Sequence, residues 1–185
     1  MPKRPFNINE KLNQKSYRYV VLDLETTGLS PACGARVIEI GAIAMESGSR
    51  VEEFHTFINP GTHVPLIVQQ IHGITDEMLK GKPRPGKVLP GLHEFIQDSV
   101  LIAHNAHFDL RFLRCEFSRL NLTLSNNYIC TLQMSRRHCP SLPNHRLETV
   151  YRYLCGELPE GLQPHRALSD ARLTSGVWMA MREKI

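Results

Sequence analysis

The chain of 185 residues predicts an α/β domain. Its core is a mixed five-stranded sheet, an antiparallel three-strand meander continued by parallel strands, with helices flanking it. Three observations carry that prediction. Strand-like stretches at residues 17–24, 36–45 and 51–59 follow one another through short links, the last being the turn ESGSR, and short links favour antiparallel neighbours. After Pro60 and Gly61 the apolar spacing changes from that of strands to that of helices. Two short apolar strands, VLIAH at 100–104 and another around 128–130, then stand between helical segments. Strands reached through connections that long usually pair in parallel.

Residues 1–16 are polar with two prolines and no clear period, and read as an arm or a short capping helix ahead of a domain covering 17–185. The first strand belongs in the middle of the sheet, with its polar end opening into a crevice where ligands bind. The spacing then predicts a helix over 65–72 and a second one capped by Thr75, with Asp76 and Glu77 in its first turn and Gly81 closing it. A helix over 85–97 precedes VLIAH. The next starts near Ala106 and carries Leu113, Phe117 and Leu120 as a core stripe. Thr131 is a candidate N-cap for a helix that stops before Pro140, Gly156 ends one over 147–154, and the last helix covers 167–182.

A hydrophobic content of 42% supports one sizeable core, and the net charge of +4 fits a polyanionic partner without demanding one. The five cysteines never form a CxxC pair, which reads as reduced thiols and excludes a zinc ribbon or disulfide framework. No apolar run approaches a membrane span and the N-terminus has no apolar signal core, so the expectation is a cytoplasmic protein without membrane contact.

The stretch VVLDLETTGL at 20–29 carries the chemistry. Side chains two apart on a strand share a face, so Asp23 and Glu25 project together while Leu22 and Leu24 point the other way. Two adjacent carboxylates repel unless a proton or cation neutralises them, and a hard divalent metal is the simplest partner. Thr26, Thr27 and Gly28 follow as a turn whose N–H groups and hydroxyls could meet a phosphate. Two further acids stand in conspicuous surroundings. Asp109 closes HNAHFD at a helix start, where it could simply complement the helix dipole. Asp170 closes HRALSD beside Ala167, Leu168, Ala171 and Leu173, as a half-buried carboxylate in need of a partner. His165 precedes Asp170 by five residues, too far for one face of an ideal helix, and so lies on the loop after Gly161 and Pro164.

As a set, DLETTG at 23–28, IHGIT at 71–75, HNAHFD at 104–109 and HRALSD at 165–170 resemble the DEDD superfamily of 3′→5′ exonucleases. The resemblance is to its His-containing (DEDDh) branch, which includes the epsilon proofreading subunit of bacterial replicative DNA polymerase and ribonuclease T. It implies a ribonuclease H-like fold and a metal-dependent hydrolase that removes nucleoside monophosphates from the 3′ end of single-stranded DNA. Trimming of RNA 3′ ends, or an idle nucleic-acid-binding module, are the alternatives. By motif position, Asp23, Glu25, Asp109 and Asp170 would hold two Mg²⁺ or Mn²⁺ ions and His165 would be the general base. Thr26, Thr27 and Gly28 would serve the substrate, Leu29 would wedge between the last two bases, and Asn105 and Phe108 would touch the terminal nucleotide. The basic cluster Arg136, Arg137, His138 and Arg146 would guide strand phosphates. His72, His104, His107, His138 and His145 read as packing, capping or phosphate-contact residues, and a zinc site is not expected. A polymerase or other protein partner stays open. The epsilon subunit continues into a polymerase-contacting segment with no counterpart before Ile185, so the expectation is a freestanding enzyme or one recruited through another surface.

Overall fold

The computed structural model describes residues 18–182, so the expected arm at 1–16 lies outside the described residues. Strand β1 (Tyr19–Thr26) runs through the centre of a five-stranded sheet with β2 (Val37–Glu46), β3 (Ser49–Phe57), β4 (Val100–Ala103) and β5 (Tyr128–Cys130), in the order β3-β2-β1-β4-β5. β1 and β3 both pair antiparallel with β2, while β1–β4 and β4–β5 are parallel. The meander and the parallel extension therefore stand as the sequence predicts. β1 ends two residues later than expected, because Glu25 and Thr26 still pair with Glu39 and Val37 across an irregularity in the ladder. The β2–β3 hairpin closes through Ser47 and Gly48, both at positive φ (49° and 85°), the backbone that a two-residue turn matched to the strand twist requires.

Alternation along β1 sends its side chains into two different cores. Val20, Leu22 and Leu24 join α3 (Pro85–Phe95) and α4 (Ala106–Ser118), where Leu92, Phe112 and Phe117 are fully buried. Val21 joins Ile43 and Ile102 beneath α7 (Ala167–Arg182), whose Val177, Trp178 and Met181 cover that face together with Val150 of α6 (Leu147–Cys155). Asp23 and Glu25 continue the Val21 row, so they face the helix that carries Asp170.

Gly41 makes this approach possible. It pairs with Asp23 in the ladder, and a side-chain carbon there would overlap the backbone of Ala167 and Leu168. The start of α7 thus lies directly on the sheet beside the end of β1.

The remaining helices are α1 (Leu66–His72), α2 (Asp76–Leu79) and α5 (Thr131–His138). Thr75 caps α2 as expected, its hydroxyl accepting the Met78 N–H at 3.3 Å. Thr131 does not cap α5. Cys130 holds the N-cap position, and Thr131, fully buried, turns its hydroxyl to His104 instead. No described helix is long and apolar enough to cross a membrane.

A Gly41→Ala protein should be destabilised by about 1–3 kcal/mol, the usual range for overpacking a tight core. The measurement is the urea midpoint at constant slope. An unchanged midpoint would show that α7 has room to move off the sheet.

Candidate active site

Asp23 and Glu25 come from the end of β1 and Asp170 from the first turn of α7, and oxygen atoms of the three lie within 4.8 Å of one another. The burial of Ala167 and Ala171, the neighbours of Asp170 on its helix, brings the α7 backbone down to the sheet. Asp109, in the first turn of α4, is not within that group of three, but it is buried and its charge bears on Asp23 more than that of any other acid. All four acids singled out in the sequence therefore converge on the end of β1, three tightly and the fourth alongside.

Their electrostatics follow from crowding and burial. Desolvation, then the charges of Asp109, Asp170, Glu25 and Glu39, hold the Asp23 carboxyl well above its ordinary value. Desolvation first, with Asp170 and Glu39 next, pushes Glu25 up to about 8. Asp109 is pushed up to about 8 by burial, against the opposing effect of backbone N–H groups of Asp109 and Leu24. Asp170 rises only to about 6, because the charge and backbone N–H of His165 oppose its burial. Such a cluster holds protons at neutral pH unless a cation replaces them.

His165 stands on the loop entering α7, exposed and at φ +56°, where the spacing argument puts it. The side chain of the next residue, Arg166, reaches Glu39 of β2, a carboxylate with no exposed surface. Sequence reasoning missed Glu39. The signal was present, since Glu39 is a lone acid inside the otherwise apolar run VIEIGAIA, and an unpaired charge does not sit in a buried strand.

The other expected substrate residues divide. Leu29 is 82% exposed at the tip of the turn after β1, and its carbonyl accepts from Arg111 at 2.6 Å. The Thr26 and Thr27 hydroxyls are buried and engaged in that turn: Thr26 donates to the Gly28 carbonyl at 2.7 Å, and Thr27 accepts the Arg36 N–H at 2.9 Å. Thr27 keeps its own hydroxyl hydrogen to donate. Asn105 is exposed in the left-handed region, before α4, with no capping bond from its side chain. Phe108 is partly buried against Phe112, ring centroids 5.0 Å apart, so much of its ring belongs to the core.

The histidines outside the third motif mostly hold the frame. His72 is buried and its Nδ1 accepts the Ile74 N–H at 3.0 Å. His104 donates from Nε2 to the His145 carbonyl at 2.8 Å and meets the Thr131 hydroxyl through Nδ1 at 3.0 Å, while burial holds its pKa below the usual value. It is therefore a neutral clasp between β4, α5 and the loop before α6. Arg136, Arg137 and His138 form the last turn of α5 and are exposed, as is Arg146.

An exonuclease family model, RNase_T, matches residues 20–177. The chain is 37% identical over 167 residues to a DNA polymerase III of PolC type from Caldanaerobacter subterraneus, with 90% of this chain and 12% of that protein covered. It is 33% identical over 174 residues to the 3′-5′ exonuclease DinG of Bacillus subtilis, covering 91% of this chain and 18% of that one. The chain thus spans less than a fifth of the length of these relatives. Among solved structures, exonuclease X in complex with 5′ overhanging duplex DNA superposes with a TM-score of 0.72 at 27% identity, over 90% of this chain and 92% of that one. The sheet order with its flanking helices is the ribonuclease H-like fold. With a match that runs from the start of β1 into α7 and takes in all four converging acids, the chain belongs to the RNase_T exonuclease family.

Proposed function

We propose that this domain is a metal-dependent 3′→5′ exonuclease that releases nucleoside monophosphates from the 3′ end of single-stranded DNA. The observation that carries the reading is the convergence of Asp23, Glu25 and Asp170 within 4.8 Å, beside buried Asp109. The donors are all carboxylate oxygens, with no Cys or His in the group, a set that suits Mg²⁺ or Mn²⁺ better than zinc. The raised carboxyls mark a site in want of positive charge.

Asp23, Glu25, Asp109 and Asp170 would hold two such ions, which supply Lewis-acid stabilisation of the charge growing on the phosphate and the departing 3′ oxygen. His165 accepts the proton of the attacking water at an imidazole nitrogen, and its exposed loop lets it meet the strand end. Leu29, apolar and exposed, wedges against the terminal bases without regard to their identity. The turn of Thr26, Thr27 and Gly28, with Asn105 and the exposed edge of Phe108, lines the place of the terminal nucleotide. DNA is favoured over RNA by the relatives, which are named as DNA polymerases or solved with DNA. The full set of acids argues against an idle binding module.

The test is 5′-labelled single-stranded DNA and matching RNA with Mg²⁺, Mn²⁺ or EDTA, with Asp23→Ala as control. A metal-dependent ladder shortening from the 3′ end, faster on DNA and absent from Asp23→Ala and Asp170→Ala, is expected. Shortening of RNA alone would reverse the substrate assignment, and binding without shortening would leave only a binding module. His165→Ala should lower kcat by about 10²–10³-fold while titration calorimetry finds Mn²⁺ affinity unchanged.

Metal-free stability should also depend on pH in a set direction. Carboxyls whose folded pKa is raised bind more protons in the folded state than in the unfolded one, so their effect on stability worsens as pH climbs from the unfolded value near 4 towards the folded value of about 8. In EDTA, the amount by which Asp23→Asn exceeds the wild type in melting temperature should widen from pH 5 to pH 8, and saturating Mn²⁺ should abolish it. A gap that stays constant with pH would mean that neither burial nor the neighbouring acids raise the Asp23 carboxyl.

A further inference from the structure

Glu39 carries a charge where the sheet offers no water, and its partners come from three elements. His55 Nε2 of β3 lies 2.7 Å from Oε1. Arg166 Nη2 donates to Oε1 at 3.0 Å and Nε to Oε2 at 3.2 Å, and the Ala167 N–H, at the first residue of α7, donates to Oε2 at 3.1 Å. The Arg166 guanidinium also lies over the Phe57 ring, 5.0 Å from its centroid. Burial alone would raise the Glu39 carboxyl, but the hydrogen bonds from His55, Arg166 and Ala167 hold it below its ordinary value.

A buried carboxylate is costly to place, and apolar residues of similar size often serve stability as well. What this one does is local. Arg166 and Ala167 are the two residues directly after His165, and Glu39 grips both at once from the strand that pairs with β1. The left-handed backbone at His165 (φ +56°) is unfavourable for a non-glycine residue and persists only where its surroundings hold it. Asp170, one turn further on, has separate support from the close packing of α7 over Gly41.

We propose that Glu39 is a positioning residue for the reaction: through Arg166 and the Ala167 N–H it fixes the end of the loop that carries His165, and so holds the base over the carboxylate cluster. The inference rests on the reading of His165 as base. The hydrogen bonds of Glu39 end on His55, Arg166 and Ala167, so its grip is on the loop that carries the base.

The test compares wild type, Glu39→Gln, His165→Ala and the double variant, measuring kcat and KM on single-stranded DNA, Mn²⁺ affinity by calorimetry, and melting temperature. Glutamine keeps the shape and one acceptor but cannot form the ion pair. Glu39→Gln should lower kcat by about ten- to a hundredfold, the cost of a misplaced catalytic group, with KM and Mn²⁺ affinity within about twofold of wild type. In the His165→Ala background the same change should cost almost nothing, because two residues acting through one group are not additive. If Glu39→Gln does not fold, Arg166→Lys, which keeps the charge and loses the fork, carries the same expectations. A wild-type kcat in Glu39→Gln beside an impaired His165→Ala would overturn the positioning role alone. Full additivity, or a parallel fall in Mn²⁺ affinity, would overturn it in favour of action on the cluster. A wild-type kcat in His165→Ala would overturn the base assignment and with it this inference.

Discussion

Mutual repulsion among carboxylates in poorly hydrated surroundings is the constraint on which the rest of the structure depends. Asp23, Glu25 and Asp170 lie within 4.8 Å, with Asp109 and Glu39 close enough to raise them further. No fold gathers such charges for stability. The surrounding protein must be rigid enough to hold them in the absence of a cation, and two fully packed cores on opposite faces of the sheet supply that rigidity. The binding energy of a cation then offsets the repulsion, which links affinity, stability and protonation at one place.

The sheet is shaped to deliver α7 to that place. β1 and β2 present Asp23 opposite Gly41 and Glu25 opposite Glu39, on the face that α7 covers. The missing side chain at Gly41 lets the first turn of α7 touch the sheet, and the Glu39 carboxylate receives that turn's first N–H and the arginine before it. One strand thus does with absence and with charge what a longer loop would do poorly. On the other side, the turn after β1 is tied to α4 by Arg111 on the Leu29 carbonyl and by the fork of Arg36 on buried Glu116, at 2.7 and 2.9 Å. Exposed Leu29 is therefore presented on a firm support.

The element order was largely legible in the sequence because apolar periodicity and turn residues are local. The strand at 128–130 and the helix at 167–182 coincide with β5 and α7, and other boundaries moved by one or two residues where ladder pairing extended or trimmed a strand. Thr131 shows the limit of local reasoning. Its type and place suit an N-cap, but the half-buried His104, just after β4, offered its hydroxyl a better partner. The Thr26 and Thr27 hydroxyls likewise turned inward to the turn itself.

The sequence by itself determined which residues carry charge and which strand face they share, since a period of two along VVLDLETTGL leaves Asp23 and Glu25 no other arrangement. It also placed Asp109 at a helix start, Asp170 inside the last helix and His165 on the loop before it. Only the tertiary structure decided that three of these acids meet within 4.8 Å while Asp109 stands alongside, and that Glu39 lies beneath the histidine loop with Arg166 as its partner. The physical reason is separation along the chain. Glu39 and Arg166 are 127 residues apart, and no local periodicity reports a contact made only when β2 and α7 close on each other.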